Sequence, residues 1–168
     1  MIKIYIKNKL KMPNISLISI VKIMYIKCGK ISIQEYIEPA TKIYADISSE
    51  LLSNLFYPNS PLHDGGVIIQ GDKITCAGAV FKTSMNPSVS KKLGTRHRAA
   101  LGVAEEYDAI ALVVSEETGR ISIACDGELH YNLTLDDFRM MLMDELKPKT
   151  EIFYDGDEKT EEGEDINE

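Results

Sequence analysis

Two apolar runs, GVIIQ (66–70) and KITCAGAVF (73–81), are separated by only Gly71 and Asp72. A connection that short forces the two strands into an antiparallel hairpin, and a Gly–Asp pair suits the tight turn. The pattern recurs where ISIAC (121–125) meets ELHYNL (128–133) across Asp126–Gly127. AIALVVS (109–115) precedes that second pair through a turn at EETGR (116–120). ISIVKIMYI (18–26), rich in β-branched residues, reads as a strand ended near Gly29, and ISIQEYI (31–37) as another short strand.

Helices are expected between these strands. DISSELLSNLFYP (46–58) has Ser48 or Ser49 to cap it, Glu50 near its positive end, and Leu51, Leu52, Leu55 and Phe56 on one face before Pro58 stops it. A loop, KTSMNPSVSKKL (82–93), leads to a helix opened by Gly94–Thr95. TLDDFRMMLMDEL (134–146) begins with Thr134 and Asp137 in a capping-box spacing and carries a stripe of Leu135, Phe138, Met141, Leu142 and Leu146. Hairpins interleaved with helices exclude a simple βαβ repeat. The expected class is a mixed α/β fold: a central twisted sheet of about five to seven strands flanked by helices.

The 168 residues suit one domain that buries a core without staples. Cys28, Cys76 and Cys125 form no CxxC pair, which argues against a zinc site or a disulfide framework. The net charge of −7 is unevenly spread. Residues 1–30 carry seven lysines and no acid; residues 151–168 carry nine acids against Lys159. The acidic total argues against nonspecific nucleic-acid binding. The apolar run ISLISIVKIMYI (15–26) is broken by Lys22 and shorter than the ~18 residues of a membrane span. No small-residue cleavage site follows it, so no integral membrane segment or leader is expected and the cytoplasm is the default compartment. The expected organisation is an N-terminal segment (1–29) with a possible first strand, a domain over 30–147, and an acidic, disordered tail (148–168).

Three stretches have the residue types that chemistry needs. In PLHDGGVII (61–69), His63 and Asp64 precede two glycines and a buried strand. Glycines allow close approach of a ligand to the backbone, and the aspartate can hold a cation or accept a hydroxyl proton; a plain turn with Asp64 bonded to its own backbone fits the same residues. In GTRHRAALG (94–102), a helix N-terminus with Thr95, Arg96 and Arg98 suits an anion, and phosphate best. Residues 96 and 98 lie about 200° apart on a regular helix, so either the helix starts late or the two arginines serve different groups. A surface helix paired with acids fits this stretch too. In VSEETGRISI (114–123), Ser115 ends a strand and Glu116 or Glu117 could ligate a metal or a sugar hydroxyl, or simply form a charged hairpin. No phosphate-binding GxxxxGK[ST] loop and no GxGxxG fingerprint is present.

LHDGG (62–66), followed about thirty residues on by GTRHRAALG and then SEETG (115–119), resembles the diadenylate cyclase domain, whose hallmarks are a DGA and an RHR element. SSELL (48–52), PNSPLHDG (58–65) and DGELH (126–130) resemble its membrane-linked branch, without that branch's membrane helices. The resemblance covers about residues 30–147. It implies condensation of two ATP into cyclic di-AMP and two pyrophosphates, with Mn²⁺, Mg²⁺ or Co²⁺. Asp64 then activates the ribose 3′-hydroxyl and assists the metal, with His63 close by, while Gly65 and Gly66 complete the first element. Gly94, Thr95, Arg96, His97 and Arg98 hold phosphates, Ser115 and Glu116 lie near phosphates and metal, and Phe81 lies against adenine. Two sites must face each other, so self-association belongs to the expectation. Gly66 stands where the family has alanine, and FKTS (81–84) where it often shows LPLS. A catalytically weak or inactive nucleotide-binding module of the same fold is the alternative reading, and a nucleotidyltransferase joining unlike substrates a third.

Overall fold

The computed structural model describes residues 22–26, 32–86, 93–115 and 119–147. The expected N-terminal segment before residue 22, the acidic tail and Glu116 fall outside the described residues. In chain order the elements are β1 (Lys22–Ile26), α1 (Gln34–Ile37), β2 (Thr41–Asp46), α2 (Ser49–Leu55), β3 (Gly66–Gln70), β4 (Lys73–Ala79), α3 (Thr95–Glu106), β5 (Ala109–Val114), β6 (Ile121–Cys125), β7 (Glu128–Leu133) and α4 (Leu135–Glu145).

The strands form one mixed sheet in the order β2-β4-β3-β1-β5-β6-β7. β1 sits between two groups of three strands. It runs parallel to β3 and antiparallel to β5; every other pairing is antiparallel. Both hairpins expected from their two-residue turns are present. Asp126 and Gly127 both take positive φ (48° and 76°), as the turn that matches strand twist requires.

The side-chain alternation of the strands divides the core between two faces of the sheet. On one face Ile68, Cys76, Ala111, Val113 and Ala124 pack under Ala100, Val103 and Ala104 of α3 and under Tyr36 and Ile37 of α1. Alanines on both sides let α3 lie close to the sheet. On the other face α2 covers β3 and β4, with Leu55 and Phe56 against Val67, Ile69, Ile74 and Ala77. Beside it α4 covers β5 and β6, with Phe138 and Leu142 against Ile110, Ile121 and Ile123.

Helix ends follow their capping residues. Ser48 Oγ accepts from Leu51 N at 3.0 Å. Thr134 Oγ1 accepts from Asp137 N at 3.1 Å and donates to Asp137 Oδ2 at 2.6 Å. Three local expectations change. The second half of ISIQEYI is helical, because Tyr36 and Ile37 both turn inward onto the α3 face, which an alternating strand cannot do. Residues 41–46 form an edge strand that their composition does not announce. Leu135 is 42% exposed rather than part of the buried stripe of α4.

Candidate functional site

Strand register brings the three chemically suggestive stretches to one end of the sheet. Ile23 of β1 pairs with Val67 at the start of β3, and also with Leu112 near the end of β5. Gly66 pairs with Ala79 at the end of β4. Asp64 before β3, Phe81 after β4 and Ser115 after β5 therefore project from the same end. α3 begins at that end too, since it runs back along the sheet to deliver the chain to the start of β5. A connection that must return a chain across the sheet thus starts α3 at the end of the sheet where β3 begins.

The turn before β3 is built on backbone constraints. Gly65 has φ +127°, and a Cβ there would lie 2.6 Å from both the carbonyl carbon and the Cα of Gly78. Only glycine accepts that conformation and that approach. Gly78 itself has φ +72°, and the β3–β4 register shifts between Gly66 and Ile68, so the hairpin bulges beside the turn. Asp64 is exposed at this point and His63 half-buried. His63 Nδ1 lies 2.5 Å from the Ser60 carbonyl oxygen. A carbonyl only accepts, so Nδ1 is the donor in this contact and Nε2 is the ring nitrogen it leaves for another partner.

Phe81 lies against this turn. A Cβ on Gly66 would fall on the edge of its ring, 2.9 Å from Cζ and nearer still to Cε2. The ring meets Tyr36 edge-to-face at 5.0 Å, and Tyr36 meets Tyr107 at 5.8 Å. Beyond it, Lys82 Nζ donates to Glu35 Oε2 at 3.1 Å, and the Tyr107 hydroxyl donates to Glu35 Oε1. These bonds, that from Tyr107 first, hold the Glu35 carboxyl below its usual range. Burial, with the Glu35 bond behind it, pushes the Tyr107 hydroxyl well above its usual range.

At the start of α3, Gly94 is the N-cap and supplies no side chain to the first-turn amides. An uncapped N-terminus offers N–H groups and a positive dipole end to an anion. Gly94 and Thr95 are exposed and Arg96 is half-buried. The other two residues of the RHR element point elsewhere. His97 is 7% exposed, its ring meets Tyr131 of β7 edge-to-face at 5.3 Å, and its Nε2 has no partner among the described residues. Burial lowers its pKa, so the ring is held neutral. Arg98 Nη2 donates to the Ser84 carbonyl at 3.0 Å. The helix starts at Thr95 and not late, so Arg96 and Arg98 stand on different sides of it. After β5, Ser115 N donates to Arg120 O at 2.9 Å.

Among the described residues no three His, Cys, Asp or Glu side chains gather into a metal cage. No helix among them is long and apolar enough to cross a membrane. Residues that build this corner without having been singled out are Glu35, Tyr36, Ser84, Gly102, Glu105 and Tyr107. Gly102 carried the one available signal: a glycine in mid-helix costs stability unless something approaches closely.

Comparison with known proteins bears on the family and the fold. Residues 11–129 match the family described as DAC, DisA bacterial checkpoint controller nucleotide-binding. The cyclic di-AMP synthase CdaA of Bacillus subtilis is 47% identical over 116 residues, 69% of this chain and 42% of that protein. A diadenylate cyclase of Listeria monocytogenes is 50% identical over 112 residues, 67% of this chain and 41% of that protein. The chain thus spans about two fifths of the length of these curated relatives. The crystal structure of a double mutant of DacA from Staphylococcus aureus superposes with a TM-score of 0.69 at 45% identity, covering 73% of this chain and 81% of that one. The family match spans well over half of the chain, and its fold is that of a solved relative: the protein belongs to the DAC family, the DisA-type bacterial checkpoint controller nucleotide-binding domains.

Proposed function

We propose that this chain is a diadenylate cyclase domain, condensing two ATP molecules into cyclic di-AMP with release of two pyrophosphates. The observation that carries the reading is the convergence of Asp64, Phe81, the uncapped start of α3 and Ser115 at one end of the sheet. The relatives named as cyclic di-AMP synthase and diadenylate cyclase support it.

Each residue has a role that its position suits. Phe81 offers a ring edge to the adenine base. The first-turn amides of α3, the Thr95 hydroxyl and the Arg96 guanidinium hold phosphate oxygens. Ser115, at the same end of the sheet, would face the same phosphates. Asp64 accepts the proton of the ribose 3′-hydroxyl. The 3′-oxygen then bonds to an α-phosphorus, the bond from that phosphorus to the bridging oxygen breaks, and pyrophosphate leaves with the electron pair. Positioning and charge neutralisation supply most of the acceleration in such a transfer.

A divalent ion, Mn²⁺, Mg²⁺ or Co²⁺, completes the proposal. His63 Nε2 and the Asp64 carboxylate would be an imidazole–carboxylate donor pair, with Glu116 as the third donor. When bound, the ion offsets negative charge on the phosphates. One domain presents one such corner, and the product needs two nucleotides. Two domains therefore face each other, each giving its 3′-hydroxyl to the other's α-phosphate.

The test is mass spectrometry of protein incubated with ATP and Mn²⁺, with GTP as the control substrate. Cyclic di-AMP and pyrophosphate from ATP alone are expected. Bound ATP without product would replace the cyclase by a nucleotide-binding module, and a mixed dinucleotide would indicate a transferase of unlike substrates.

A further inference from the structure

We propose that Arg98 is a positioning residue: it clamps the segment 81–86 onto α3 and so sets Phe81 beside the Asp64 turn, and it is not a phosphate ligand. The inference deepens the cyclase reading and rests on it for the identity of the base that Phe81 faces.

The clamp has two sides. On the loop side Ser84, 2% exposed, is its centre. Its N–H donates to the Arg98 carbonyl at 2.8 Å, and its carbonyl accepts from Arg98 Nη2 at 3.0 Å. Its hydroxyl donates to Glu105 Oε1 at 2.9 Å and accepts from Asn86 N at 3.1 Å. Every polar atom of a nearly inaccessible serine is thus satisfied, as buried polar groups demand. On the helix side Arg98, Gly102 and Glu105 stand at i, i+4 and i+7, one face of α3. Gly102 lets the two backbones meet: a Cβ there would lie 2.7 Å from the Lys82 carbonyl oxygen and 2.8 Å from Ser84 N.

The loop pinned by this face carries Phe81 three residues before Ser84, and Lys82 bonded to Glu35 between them. Arg96 stands about 200° round the helix from Arg98, on a different side of α3. Nε of Arg98 is buried without a hydrogen-bond partner among the described residues, so the side-chain contact to the loop is made by Nη2. The two arginines of one motif, on either side of His97, divide the work: one addresses the ligand and the other holds the wall of the base pocket.

The experiment measures hydrogen exchange at residues 82–86, and affinity for both ATP and adenosine, in wild type, Arg98→Ala, Arg98→Lys, Gly102→Ala and the Arg98→Ala/Gly102→Ala double variant. Adenosine has the base but no phosphate. The clamp predicts faster exchange at Ser84 in each variant, and ATP and adenosine weakened by the same factor, roughly tenfold in Arg98→Ala. Gly102→Ala removes no charge and is expected to match it, the double variant to be little worse than either, and Arg98→Lys not to rescue, because the lysine nitrogen ends one bond short of the Nη2 that reaches the Ser84 carbonyl. Loss of ATP affinity with adenosine unchanged, and rescue by Arg98→Lys, would make Arg98 a phosphate ligand and overturn the proposal. If Gly102→Ala fails to fold, Arg98→Ala alone decides. If the wild type binds neither nucleotide, the cyclase reading fails, while unchanged exchange at Ser84 in Arg98→Ala would separately refute the clamp.

Discussion

The ring of Phe81 fills the space that a methyl group on Gly66 would need. The two residues are fifteen positions apart, on either side of the β3–β4 hairpin, yet neither side chain can be considered alone.

Gly66→Ala is therefore expected to overpack the corner and destabilise the fold by about 1–3 kcal/mol. Phe81→Leu in the same chain is expected to recover most of that loss, because the offending atoms lie at the far edge of the ring. Urea unfolding of the two single variants and the double variant checks it. Simple additivity would mean that the ring swings aside at no cost.

Gly65→Ala has no such rescue. Its Cβ would meet backbone atoms of Gly78, and its φ of +127° is closed to alanine. Loss of soluble, folded protein is expected, read by circular dichroism and gel filtration. A folded variant with wild-type stability would show that the bulge beside the turn relaxes freely.

His97 sets a pH dependence of stability. Its folded pKa lies below the unfolded value near 6.5, so between the two the unfolded chain binds the extra proton. Stability is then complete above about pH 6.5 and falls as the pH drops toward the folded pKa, by at most ~1.4 kcal/mol per pH unit. Thermal melts from pH 8 to pH 5 should show the decline in wild type and a flatter profile in His97→Phe. Identical profiles would mean that His97 stays neutral at no cost.

The two helix caps give a calibration far from the site. Ser48→Ala and Thr134→Ala each remove a side-chain acceptor from a first-turn amide. Each is expected to cost about 1 kcal/mol in thermal or urea unfolding, with nucleotide affinity unchanged.

Much of this architecture is written locally. Gly71–Asp72 and Asp126–Gly127 declare their hairpins because two residues leave a chain no other option, and α2 and α4 declare themselves by a cap followed by an apolar face. β2 does not, since it lies at the sheet edge with mostly exposed side chains and is bent at Tyr44, whose φ is +51°. The run 31–37 misleads because β-branched residues beside Gln34 and Glu35 fit either class, and the burial of Tyr36 and Ile37 on one face decides for helix. The insertion of β1 between β3 and β5 depends on pairings more than forty residues apart in sequence, which no local pattern contains.

The candidate site divides in the same way. Asp64, Gly65, Thr95 and Arg96 are legible because their chemistry is carried by residue type and spacing. The inward turn of His97 and the engagement of Arg98 with Ser84 are not. Both depend on which side of α3 meets the sheet and which meets the loop, and the loop is held through backbone carbonyls that any residue supplies. Gly102 alone hinted at the contact.

The account's central claim, that the end of the sheet around Asp64 is a cyclising ATP site, is tested most directly by measuring product and ATP affinity together in wild type and Asp64→Asn. Amide replaces carboxylate at nearly the same size, so binding should be almost unchanged while the proton acceptor is lost. Cyclic di-AMP formed by wild type and abolished in the variant, with ATP still bound by both, is the predicted result. Equal product from both would remove Asp64 from the chemistry and contradict the account.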